Sequence, residues 1–192
     1  MAKLGIVLAV YAAAACVGLA FVYAGTKDQI DKNQKAVMEE ALGDLFPGAD
    51  FDTIQNFRMT DNFVTIDADK NDPSNTGVFA ARQNGALVGL AVRTSRGGFG
   101  GPVKLLVGVG TDGKIMGVKI LEHSETPGLG ANLSKPIFIN QFAGKPANDS
   151  FTVKQDVDAI TASTITSRAV SDSVKAAGLA AVEWMKENGG SR

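Results

Sequence analysis

Cysteine and histidine each occur once in this chain of 192 residues. A single Cys16 excludes an internal disulfide framework, and it excludes a metal cluster held by cysteines of this chain alone. Any such centre has to belong to another chain. The single His123 removes the side chain that most often activates a hydroxyl nucleophile from every other stretch of the sequence. Charge of one sign is also missing: the formal net charge is −1, which leaves no basic excess to neutralise phosphates, and nucleic-acid binding is set aside. There is no internal repeat and no low-complexity tract.

Charge is absent locally as well, since no charged residue occurs between positions 4 and 24. At a rise of about 1.5 Å per residue this run matches the roughly 20 apolar residues that a bilayer core requires. A cleaved signal peptide competes with a retained anchor, because Val22-Tyr23-Ala24 is a small-residue pattern that a signal peptidase accepts. The uncharged run is longer than the roughly 7 to 15 residues of a signal core, which favours the anchor. A lipoprotein reading through Ala13-Ala14-Ala15-Cys16 is weaker, because the cysteine sits inside the apolar run. Lys3 on one side and Lys27, Lys32 and Lys35 on the other do not settle the orientation.

After the anchor, Ile30, Val37, Met38, Ala41, Leu42 and Leu45 recur at helical spacing, and Pro47-Gly48 ends the pattern. The stretch that follows is polar up to Thr76 and includes an expected exposed loop at 69–75. Two hairpins come next. Strands over 78–82 and 87–94 flank Asn84-Gly85, strands over 103–109 and 115–121 flank Asp112-Gly113, and both dipeptides suit the positive φ of tight turns. Helical spacing returns over 167–188, with Val170, Val174, Ala177, Ala181 and Met185 on one face and Gly189-Gly190 as the stop. The expected class is α+β: one N-terminal transmembrane helix, then a mostly antiparallel sheet with flanking helices. The division is 1–25 for the anchor, 26–48 for a juxtamembrane amphipathic helix and 49–192 for the domain.

Three motifs carry the functional reading. Asp158-Ala159-Ile160-Thr161-Ala162-Ser163-Thr164-Ile165-Thr166-Ser167 packs five hydroxyls into a loop-to-helix junction, where they serve either as helix caps or as neighbours of a phosphate seat. Ser124-Glu125-Thr126-Pro127-Gly128-Leu129-Gly130 reads as a type II turn at Pro127-Gly128. Arg96-Gly97-Gly98-Phe99-Gly100-Gly101 is either an anion nest or a flexible loop. Asp158, Thr161, Ala162, Ser163 and Thr164 resemble the flavinylation motif of the FMN-binding domain family, Asp-x-x-Ser/Thr-Gly/Ala-x-Thr. The other two motifs resemble that family's Glu-Thr-Pro-Gly-Leu-Gly signature and its glycine-rich turn, so the match runs from about Gly77 onwards. Within the family the pattern is most like the G subunits of Rnf electron-transport complexes, with the C subunits of sodium-pumping NADH:quinone oxidoreductases as relatives.

The resemblance implies FMN joined covalently through a phosphoester to Thr164, with Thr161, Ala162 and Ser163 shaping the acceptor loop. It implies flavin contact at Thr126, Gly128 and Leu129, whereas Glu125 either hydrogen-bonds the flavin or holds the loop. His123 is open between a structural role and tuning of flavin protonation. Where the family commonly has Ser-Gly-Ala-Thr, this chain has Thr161-Ala162-Ser163-Thr164, so a Cβ replaces a glycine and Ser163 is a competing hydroxyl. No histidine lies near Thr164, which implies an external transferase, and the resemblance implies that this is a dedicated flavin transferase that takes the FMN half of FAD with magnesium. The further implications are an electron-transfer subunit of an ion-translocating ferredoxin/NAD oxidoreductase complex with membrane, flavin and iron–sulfur partner subunits, and a flavin domain on the outer face of a prokaryotic cytoplasmic membrane. Two rivals share parts of the pattern: a stand-alone anchored FMN carrier for another reductase, and a tethered scaffold domain without redox function.

Overall fold

The computed structural model describes residues 2–54, 57 and 77–188. The chain divides into two compact units, Met1–Glu39 and Glu40–Arg192. Helix α1 spans Ala2–Leu45 and supplies the described residues of the first unit. In that unit the side chains of Ile6, Leu8, Tyr11, Leu19 and Phe21 are all exposed, and the helix is long and apolar enough to cross a membrane. It runs unbroken through Gly25.

The second unit begins with the last turn of α1. Of the apolar stripe read from the sequence, Ile30 and Val37 are exposed, whereas Ala41, Leu42 and Leu45 are buried with Phe46. The helix stops two residues before Pro47, as expected where proline restricts its predecessor, and Gly48 takes φ +74.

Strands β1 (Asp50–Thr53), β2 (Val78–Gln83), β3 (Ala86–Gly97), β4 (Pro102–Gly110) and β5 (Ile115–Glu122) form an antiparallel sheet in sequence order. The first hairpin turn has positive φ at both Asn84 (52°) and Gly85 (81°), the primed geometry that matches strand twist. In the second only Gly113 is positive (75°), so Asp112-Gly113 ends a longer loop rather than forming a two-residue turn. There the Asp112 carboxylate accepts from the Lys114 N–H, and glycine carries the left-handed step. The expected loop at 69–75 and the stop at Gly189-Gly190 lie outside the described residues.

Both faces of the sheet's centre are covered. On one face Leu90, Val92, Leu105, Val107 and Val109 pack with Val170, Val174, Ala177 and Ala181 of helix α3 (Thr164–Asn188) in one core. Phe138, Phe142 and Phe151 extend this core, with Phe138 edge-on to Phe142 at 5.7 Å between ring centres. On the other face Gly89, Gly108 and Gly117 leave bare backbone, into which Leu45 and Phe46 settle. A Cβ on Gly117 would lie 2.9 Å from Leu45 Cδ2, and one on Gly89 would lie 2.6 Å from the Phe46 ring. This is why β4 is buried almost throughout. Between β5 and α3 run a 3-10 helix (Gly130–Ser134) and the single-turn helix α2 (Pro136–Ile139).

Candidate functional site

Helix α3 begins at Thr164. Ahead of it a turn closes with the Ser163 N–H donating to the Ile160 carbonyl at 3.0 Å, and Ala162 in that turn has φ 59. This is the position at which the family motif commonly carries glycine, and an alanine there bears left-handed strain. The first helical bond runs from the Ser167 N–H to the Ser163 carbonyl at 3.0 Å. No acceptor among the described residues meets the backbone N–H groups of Thr164, Ile165 or Thr166, the orphan donors of a helix start.

The five hydroxyls of this junction are not equivalent. Ser163 is buried and donates to Thr166 Oγ1 at 2.7 Å. Thr166 in turn donates to Glu125 Oε2 at 2.9 Å. Ser167 donates to the Ser163 carbonyl and accepts the Ile160 N–H, both at 2.9 Å. Thr164 is half-buried, Thr161 is exposed, and neither hydroxyl is held by a hydrogen bond among the described residues. The competing hydroxyl on Ser163 is therefore occupied and covered, while that of Thr164 stands beside three free N–H donors.

Glu125 occupies the centre. It is 6% exposed, and its Oε1 accepts the N–H of Phe99 at 2.8 Å and of Gly100 at 3.1 Å. The glycine-rich turn is thus an anion nest already filled by a carboxylate of the same chain. The turn is also closed by the Gly98 N–H, which donates to the Gly101 carbonyl at 2.8 Å. A Cβ on Gly98 or on Gly130 would collide with a Glu125 oxygen, and one on Gly100 would collide with the Ser124 carbonyl. These glycines are required by close approach. Arg96 pairs with Asp172 of α3 at 3.2 Å, a second tie between this turn and the helix.

The type II turn read at Pro127-Gly128 is present: the Leu129 N–H donates to the Thr126 carbonyl at 3.2 Å, and Gly128 has φ 78. Thr126, Gly128 and Leu129 are exposed, and a Cβ on Gly128 would meet nothing within 4 Å. Glu125 ties this turn to α3 through Thr166. The His123 Nδ1 accepts the Glu125 N–H at 3.3 Å, which places the proton of the neutral ring on Nε2. Large apolar side chains stand exposed on all three segments: Phe99 at 73%, Leu129 at 44% and Ile165 at 54%.

Thr166, Asp172 and Gly130 were not among the site residues expected from sequence. Ser163 and Thr166 stand three residues apart at a helix start, a spacing that brings two side chains onto one face, and this was the local signal for their hydroxyl-to-hydroxyl bond. Nothing in the sequence marks Asp172 as the partner of Arg96.

An FMN-binding domain model matches residues 98–178, which contain all of the Glu125 contacts, and a model of the RnfG N-terminal region matches residues 1–45. The chain is 34% identical over 184 residues to the G subunit of the Na(+)-translocating ferredoxin:NAD(+) oxidoreductase complex of Acetobacterium woodii, covering 90% of this chain and 87% of that protein. It is 42% identical over 132 residues to the G subunit of the proton-translocating ferredoxin:NAD(+) oxidoreductase complex of Clostridium ljungdahlii, covering 65% of this chain and 70% of that protein. The crystal structure of Shewanella oneidensis NqrC aligns with 57% of this chain and 60% of its own, at 25% identity and a TM-score of 0.48. With both of its segments matched and the relatives aligned over most of their length, the chain belongs to the family of G subunits of Rnf-type ion-translocating oxidoreductase complexes.

Proposed function

We propose that this protein is a membrane-anchored electron-transfer subunit of an Rnf-type complex that carries FMN covalently on Thr164. The observation that carries the reading is the state of the acceptor junction. One hydroxyl is accessible and unbonded at the first position of a long helix, its neighbour Ser163 is buried, and three backbone N–H groups are free to receive a phosphate. The donor set fits a phosphoester, and the exposed Phe99, Leu129 and Ile165 offer apolar surface to a ring system. FMN, when bound, supplies one- and two-electron redox chemistry.

No imidazole or free carboxylate among the described hydrogen bonds reaches Thr164, so the activating base comes from a flavin transferase. With FAD as the transferase's co-substrate, the Thr164 oxygen would take the FMN phosphoryl group, the bond joining the two phosphates would break with AMP as the leaving group, and the hydroxyl proton would pass to the transferase. The protein's share is to present the oxygen, to seat the phosphate on the helix N-terminus and to keep Ser163 out of reach. Covalent attachment suits a domain outside the cytoplasm, where dissociated FMN is lost, and electrons then pass between the other subunits of the complex by way of this domain.

Co-expression with a flavin transferase tests the reading. Denatured protein carries one fluorescent FMN, and Thr164→Val abolishes the fluorescence while the domain remains folded. Fluorescence that persists in Thr164→Val, with the phosphoester mapped to Ser163 or Thr161, overturns the assignment.

A further inference from the structure

We infer that Glu125 is a positioning residue for the acceptor: it holds the glycine-rich turn against the first turn of α3, so that Thr164 is presented for transfer only while the clamp is closed. The inference rests on the acceptor role of Thr164 for its consequence, whereas the clamp itself rests on contacts alone. Both carboxylate oxygens are met by donors of the protein, with Phe99 and Gly100 on Oε1 and Thr166 on Oε2. With 6% of the residue exposed, Glu125 belongs to the frame of the site rather than to the surface offered to a ligand. Bonds to an ionised acceptor are the stronger kind, and a buried donor left without an acceptor carries a full desolvation penalty. The glycines close the argument, since Cβ atoms at positions 98 and 130 would displace the carboxylate. Thr166 lies two residues beyond Thr164 and is held by its own donation to Glu125, so releasing it frees the turn of helix that carries the acceptor.

The test treats the unloaded full-length protein as the substrate of the transferase, with FAD saturating, and compares Glu125→Gln, Glu125→Ala and Thr166→Val with the parent chain. A clamp that only stabilises the fold lowers the folded fraction, which raises the apparent KM for the acceptor protein and leaves kcat intact. A positioning role lowers kcat, on the order of 10- to 100-fold for Glu125→Ala. Glu125→Gln retains an oxygen for the Phe99 and Gly100 N–H groups and rescues part of the rate. Hydrogen exchange provides the second readout: the Phe99 and Gly100 amides lose protection in Glu125→Ala and keep it in Glu125→Gln. If Glu125→Ala does not fold, Thr166→Val, which removes the bond to Glu125 Oε2 together with the acceptor of the Ser163 hydroxyl, is expected to lower kcat with the Phe99 and Gly100 amides still protected and the phosphoester still mapped to Thr164. Parent-like kcat in both Glu125→Gln and Thr166→Val, or a change confined to KM, overturns the inference. A parent chain that accepts no flavin overturns the proposed function instead, and amide protection that is unchanged across the folded variants then overturns the clamp as well.

Discussion

At the scale of single residues, the junction before α3 contains a strained position that substitution can relieve. Ala162 has φ 59, a region that alanine enters at a cost and glycine enters freely. Ala162→Gly is expected to raise stability by about 1 kcal/mol, because removing the Cβ strain outweighs the extra freedom given to the unfolded chain. The shift in urea midpoint at constant m-value measures it, and an unchanged or lower midpoint contradicts the assignment of strain. This position was legible in sequence as a departure from the glycine of the motif. The ranking of the hydroxyls was not, because Ser163 and Thr164 are adjacent and chemically alike. What separates them is a chain of bonds through Thr166 to Glu125, 41 residues away from Thr166, and no local pattern encodes so distant a partner.

At the scale of elements, the last turn of α1 is a plug in the sheet. Leu45 fits against Gly108 and Gly117, where any larger residue on the strands would meet its side chain. Leu45→Ala is expected to destabilise the second unit by about 2 to 4 kcal/mol, because the rigid backbone of the strands cannot collapse into the space left behind. Thermal unfolding of the variant checks this, and a loss below about 1 kcal/mol means that the sheet face is held chiefly by other contacts. The hairpins and α3 could be read from sequence because turn residues and apolar spacing are local signals. β1 could not: Asp50-Phe51-Asp52-Thr53 is a short edge strand with three polar residues, and only its pairing with β2 identifies it. The 3-10 helix and α2 were missed for the same reason, being too short to show a period.

At the scale of the whole molecule, the uncharged run over 4–24 supports an anchor, and the family resemblance supplies the expectation that the domain lies on the outer face. The intact mass of the mature protein is expected to retain residues 4–24, and protease added to the outer face of sealed cells or spheroplasts is expected to digest the domain. A mature N-terminus near Gly25 rules out the anchor, and digestion confined to inverted vesicles reverses the orientation. The clamp adds an order in time. Phe99, Glu125 and Thr166 meet only after β3, β4, β5 and α3 have all been made, and α3 follows every strand among the described residues. As the polypeptide leaves the ribosome or an export channel, Thr164, the proposed acceptor, therefore emerges after the strands β1 to β5, and the Glu125 contacts to its helix form last. Under the proposed attachment to Thr164, a chain stalled or clipped before α3 is expected to take up no flavin, so loading would select chains in which the Glu125 contacts have formed.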